Sequence, residues 1–70
     1  MGKRLNLINA RKKAGYTQSQ LGQLIGATKQ RISNFETGYT GTSPDTWDKL
    51  EDILQVPQRK LRELVEVQEG

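Results

Sequence analysis

Gln30 and Asn34 stand four residues apart in the run Lys29-Gln30-Arg31-Ile32-Ser33-Asn34-Phe35-Glu36. On a helix, that spacing puts both carboxamides on one face. A carboxamide donates and accepts at once, so it can bond bidentately to the N6 and N7 edge of adenine. The alternative for both is a neutral surface role. Lys29 beside them carries a flexible charge that suits guanine O6/N7 or a phosphate oxygen. Arg31 and Ser33 divide between phosphate contact and idle surface. Thr17 and Thr28 each precede an apolar-periodic run, where a hydroxyl caps free helix amides and the same amides can face an anion. Tyr39, Thr40 and Thr42 follow in a polar loop that suits phosphate contact or plain loop structure.

Other chemistry is poorly supplied. The chain has no cysteine and no histidine, which removes disulfides, thiolate reactions, zinc-finger ligand sets and imidazole acid/base work. Serines and threonines have no base to activate them, so an enzyme is the remote reading. Asp45, Asp48, Glu51 and Asp52 cluster on one helix, but at spacings that expose them to water. Solvated acids are their ordinary reading, and no metal site is assigned. The sequence calls for no cofactor and shows no small-molecule ligand site.

The charge is divided along the chain. Residues 1–38 hold seven basic groups and one acid, Glu36, a net +6. Residues 39–70 hold four basic groups and seven acids, a net −3, and the two halves give the overall +3. A basic half with an acidic back suits a polyanion-binding face, against the plainer reading of an unevenly charged solvated surface. Lys3, Arg4, Lys12 and Lys13 are expected to add long-range attraction.

The elements that must position these groups read as helices. Seventy residues make one small domain, 1–70, with a frugal core. No stretch alternates apolar and polar residues over a strand's length, so the fold class is all-α. Five helices are expected, at about 3–14, 18–25, 28–36, 44–55 and 58–66. Leu7, Ala10, Arg11 and Ala14 share a face of the first, and Gly15 ends it. Tyr16 packs back. Thr17 and Gln20 fit a capping box for the second, whose apolar face is Leu21, Leu24 and Ile25. Thr28 opens the third, with Ile32 and Phe35 inward. Ser43-Pro44 opens the fourth, and Trp47, Leu50, Ile53 and Leu54 line it. Trp47 reads as core rather than interface. Pro57 breaks the fourth helix, and Leu61, Leu64 and Val65 point inward from the fifth. Leu64, Val65 and Val67 are open to core or dimer seam, and residues 67–70 are expected to fray.

Residues 17–38 form two short helices joined at Gly26-Ala27, with a small residue, Gly22, where the helices cross. That is the pattern of a helix-turn-helix. The run "TQSQLGQLIGATKQRISNFETG" resembles the phage-repressor and Cro family of bacterial and phage DNA-binding regulators. The likeness extends from Leu7 to Leu64. It rests on Gln18, Leu21, Gly22, Ile25, Gly26, Ile32, Glu36 and Gly38, on Ser43-Pro44, and on the rhythm of "WDKLEDILQVPQRKLREL".

The resemblance implies a compact five-helix, lambda-repressor-like DNA-binding domain. It implies a transcriptional regulator, a repressor by expectation, whose third helix enters the major groove of a double-stranded operator. On that reading Lys29, Gln30 and Asn34 touch bases. Thr17, Gln18, Thr28, Arg31, Ser33, Tyr39, Thr40 and Thr42 touch the backbone, with Gln18 also orienting Gln30. Arg11 and Glu36 form a partly buried structural ion pair. The chain departs from the pattern at Gly22, where alanine is commoner, and in a longer loop between Gly38 and Pro44.

The rival is an antitoxin-like or anti-repressor interaction module that keeps the fold without reading bases. A separate oligomerisation domain after the fifth helix is not expected, and homodimer and monomer are the alternatives. No apolar run exceeds two residues and no leader is visible, so a bacterial or phage-encoded cytoplasmic protein is expected, away from membranes. Gly2 does not read as a lipidation site, because Asn6 stands where serine or threonine is needed. A basic first helix lying on a membrane surface is disfavoured, because its apolar stripe is claimed by the core.

Overall fold

Glycine, proline and hydroxyl caps divide the chain, and helices fall between them. The computed structural model describes residues 2–66. The elements are β1 (Gly2–Lys3), α1 (Leu5–Lys13), α2 (Gln18–Ile25), α3 (Lys29–Glu36), α4 (Pro44–Leu54), α5 (Gln58–Leu61) and β2 (Val65–Glu66). Among the described residues no helix is long and apolar enough to cross a membrane.

The caps of α2 and α3 behave as their residue types require. The Thr17 hydroxyl accepts from Gln20 N at 3.1 Å, and the Gln20 carboxamide accepts from Thr17 N at 2.9 Å, a complete capping box. The Thr28 hydroxyl accepts from Arg31 N at 3.2 Å. Ser43 behaves differently: its hydroxyl lies 3.2 Å from that of Thr46 and caps no amide, while Pro44 starts α4. Gly26 closes α2 at φ +73°, in the left-handed region where a Cβ is strained. Two of the acids on α4 hold the start of α5. Glu51 accepts from Gln58 N, and Asp48 accepts from the Gln58 side chain, both at 2.6 Å.

The core gathers one stripe from each helix. Leu7, Leu21, Ile32, Phe35, Leu50 and Leu61 are its fully buried large side chains. Trp47 is buried beside Phe35, with ring centroids 6.4 Å apart. Tyr16 packs back against this cluster. Each fully buried aliphatic or aromatic side chain contributes about 1.5–3 kcal/mol.

The ends of the chain depart from the sequence reading. Helix α5 stops at Leu61 instead of running to residue 66, and α1 begins at Leu5 instead of residue 3. The freed residues pair with each other. β1 and β2 are antiparallel, with Gly2 opposite Glu66 and Lys3 opposite Val65. Strands two residues long carry no readable alternation, so local pattern could not announce them. Leu64, expected inward, is 53% exposed, and Val65 is half-buried in β2. Val67 and the expected fraying of 67–70 lie outside the described residues. Leu24 is also exposed, because eight-residue α2 turns only Leu21, Gly22 and Ile25 inward. Ala14 is the exposed cap of α1.

Gly22 marks the tightest approach. A Cβ there would come within 2.5 Å of the Ala27 carbonyl oxygen and 3.4 Å of the Thr28 carbonyl carbon. The obstacle is backbone of the α2–α3 turn, which cannot swing aside as a side chain can. Gly22→Val should therefore destabilise the domain by about 1–3 kcal/mol, the cost of overpacking. Urea unfolding measures this, and an unchanged midpoint would mean that the two helices have room to part.

Candidate nucleic-acid interface

The outer face of α3 is what the core leaves over. Ile32, Phe35 and Glu36 are buried, which turns Lys29, Gln30 and Arg31 to solvent and leaves Ser33 and Asn34 half-covered. The Gln30 amide donates to Asn34 Oδ1 at 3.1 Å, so the two carboxamides form one hydrogen-bonded unit. The Arg31 guanidinium lies 6.0 Å from the centre of the Phe35 ring. Lys29 reaches the rim of an open concavity of about 670 Å³ at the start of α2, which Lys12, Thr17, Gln18 and Ser19 also line. Two lysines and a helix N-terminus thus share one hollow, an arrangement that attracts anions.

A buried charge cluster fixes the angle between these helices. Arg11 Nε donates to Glu36 Oε2 at 2.6 Å, and its Nη2 to Oε1 at 3.4 Å. Arg11 Nη1 donates to Tyr16 O at 2.9 Å, and Gln18 Nε2 to Glu36 Oε1 at 2.9 Å. One carboxylate at the end of α3 therefore takes bonds from α1 and from the first turn of α2. The side chains are 11% and 4% exposed, so the pair is nearly dry. The resemblance implies a partly buried pair, and the fold closes over it more completely than that. The resemblance implies that Gln18 orients Gln30; here its amide bonds Glu36, while Gln30 bonds Asn34.

The loop after α3 holds the remaining candidates. Tyr39 N and Thr40 N both donate to Asn34 O, at 3.0 and 3.3 Å. Tyr39 is 79% exposed, Thr40 is exposed and Thr42 is half-buried. The hydroxyls of Thr17 and Thr28 are used as caps, although both residues are exposed.

Arg4 corrects the sequence reading most sharply. The sequence groups it with Lys3, Lys12 and Lys13 as a source of long-range attraction, yet it is buried. Its Nη1 donates to Phe35 O at 2.7 Å and to Thr40 O at 2.8 Å, and its Nε to Arg62 O at 3.3 Å. The guanidinium carbon sits 5.2 Å from the centre of the Trp47 ring. Burial, with the like charge of Arg62, holds this arginine below its ordinary pKa. One signal was available: Arg4 lies three residues before Leu7 and seven before Arg11, on the same inward stripe.

Residues 7–64 match the model of the family described as Helix-turn-helix. The chain is 38% identical over 56 residues to the HTH-type transcriptional regulator ImmR of Bacillus subtilis (strain 168). The alignment covers 80% of this chain and 42% of ImmR, so the chain spans less than half the length of that relative. No solved structure gives a significant match.

The charge cluster yields a stability test. Glu36→Ala leaves Arg11 in a dry site without its carboxylate and strands the Gln18 amide. The expected loss is roughly 3–5 kcal/mol, the range for breaking a buried pair from one side. Chemical denaturation against Lys13→Ala, an exposed control, checks it. Equal losses would place both charges of the pair in solvent.

Proposed function

This chain belongs to the Cro/C1-type helix-turn-helix family of DNA-binding domains, and on that premise we propose that it binds double-stranded DNA sequence-specifically as a transcriptional regulator, acting as a repressor. In this reading α3 enters the major groove and α2 lies across the backbone. The observation that carries it is the outward face of α3. Lys29, Gln30 and Asn34 stand there beside the basic hollow at the start of α2, on helices locked by the Arg11–Glu36 pair.

The roles follow from each group's donors and acceptors. Gln30 and Asn34 read base edges, and their mutual bond holds both amides ready. Lys29 reaches a purine edge at the groove or the phosphate flanking it. Thr17, Gln18 and Thr28 meet backbone phosphates at the two helix starts, where free amides and the helix dipoles favour anions. Arg31 and Ser33 border the same strand, and Tyr39, Thr40 and Thr42 follow it along the loop. A relative that is itself a transcriptional regulator supports the regulatory assignment.

Electrophoretic retardation of random-sequence duplex DNA at low salt is the first test. If about 4–6 phosphates are neutralised, log K should fall against log[salt] with a slope near −0.9 for each. An absence of retardation, or a flat salt response, sinks the proposal and leaves the fold as a protein-interaction module. Selection of sites from random duplexes then fixes the operator. Inverted repeats with centres about 34 Å apart indicate a two-fold dimer, and single half-sites a monomer.

Gln30→Ala separates reading from clinging. It should weaken the selected site by about 1–3 kcal/mol and relax preference at one base pair. Affinity for random DNA and its salt slope should hold, because no charge is removed. A selected-site preference unchanged at every position would mean that α3 is not the reading helix.

A further inference from the structure

We infer that Arg4 is a positioning residue for the DNA backbone: its guanidinium fastens the end of α3 and the loop after it into one rigid phosphate-facing edge, an inference that rests on the DNA-binding reading above. Three segments distant in sequence meet on this one side chain. Phe35 O closes α3, Thr40 O lies in the following loop, and Arg62 O lies in the turn after α5. The loop packs closely on the same group, since a Cβ at Gly41 would sit 3.7 Å from Arg4 Nη2. The backbone of Arg4 joins in, with its N donating to Glu36 O at 2.8 Å.

The chemistry makes this an unusual use of a buried cation. Among the described residues Arg4 has no carboxylate partner, and its hydrogen-bond acceptors are all carbonyls. Burying a cation without a counter-charge is costly. The negative end of the α3 dipole and the face of Trp47 offset part of that cost. An apolar side chain could fill the space over Trp47. It could not bond the carbonyls of Phe35 and Thr40. Arginine can, because its planar fork presents donors in fixed directions.

The loop depends on that fork. Its own amides are tied at Tyr39 and Thr40, both to Asn34 O. From Gly41 to Ser43 none of the described amides bonds to the backbone, and the next donor is Thr46 N. Arg4 is thus the tertiary anchor of the loop that carries Tyr39, Thr40 and Thr42. By holding Thr40 O inward, it leaves the exposed faces of Tyr39 and Thr40 turned to solvent, where a phosphate backbone would lie.

The test compares Arg4→Lys and Arg4→Gln with the wild-type chain. Lysine keeps the charge and loses the fork; glutamine loses the charge as well. Amide hydrogen exchange and binding to random-sequence duplex DNA are measured on all three, under conditions where each is folded. The proposal expects the Tyr39 and Thr40 amides to exchange at least about tenfold faster in both variants, with the α2 and α4 core amides unchanged. It expects affinity for the duplex to fall about tenfold in both, with the salt slope kept, because no phosphate-bound cation has been removed. Wild-type behaviour of Arg4→Lys in both measurements overturns it, since charge alone would then suffice. A salt slope reduced by about 0.9 in Arg4→Gln and retained in Arg4→Lys also overturns it, in favour of direct phosphate contact. So does exchange that accelerates evenly across all helices, the mark of a general structural role. If Arg4→Gln does not fold, Arg4→Lys alone decides. Failure of the wild-type chain to bind the duplex would sink the DNA-binding reading, while the exchange data would still decide whether Arg4 holds the loop.

Discussion

The Glu36 carboxylate is the point on which three helices agree. It ends α3 and accepts from Arg11 on α1 and Gln18 on α2. A domain of 70 residues has few side chains to define the angle between two eight-residue helices. Apolar contacts set distance well and direction poorly, because dispersion is not directional. A carboxylate that must satisfy several donors in a nearly dry site tolerates little rotation. Buried ion pairs add modestly to net stability, yet removing one partner is costly. That asymmetry makes α3 hard to turn relative to α1 and α2.

Steric limits act in the same direction as the charge cluster. Gly22 lets the Ala27 carbonyl come close, and Ala27 N in turn donates to Gly22 O at 2.7 Å. Gly26 supplies the left-handed turn between the helices. The outer face of α3 is therefore fixed from one side by backbone contact and from the other by the Glu36 network. Gln30 and Asn34 extend this order to the surface, since each amide already has a partner in the free protein. The bond removes part of the rotamer freedom of both side chains.

The asymmetry of charge acquires a structural meaning once Arg4 and Arg11 are set apart. Both count toward the basic half, and both are buried, so neither lies on the outer face. The surface contribution of that half comes from Lys3, Lys12, Lys13, Lys29 and Arg31, all exposed. Glu36, its one acid, is buried as well, so no carboxylate from this half faces the solvent beside them. On α4, Asp48 and Glu51 bond Gln58 and hold α5 in place. The acidic half thus builds the support, and the basic half builds the face it supports.

The sequence by itself determined the helices and which side of α3 faces outward, because both follow from local rules. Thr17 with Gln20, Thr28, Gly26 and Pro44 mark boundaries through contacts within a few residues. Ile32 and Phe35 assign the outside of α3 by periodicity alone. Tertiary structure decided what depends on partners far along the chain. The pairing of Gly2–Lys3 with Val65–Glu66 joins opposite ends, and no two-residue strand announces itself. The fate of Arg4 was decided in the same way, by carbonyls 31, 36 and 58 residues away. The inward stripe of Leu7 and Arg11 marks Arg4 for burial, but it names no acceptor until the fold closes around the side chain. Its role depends on which carbonyls the fold leaves within reach, and only the assembled fold contains that information.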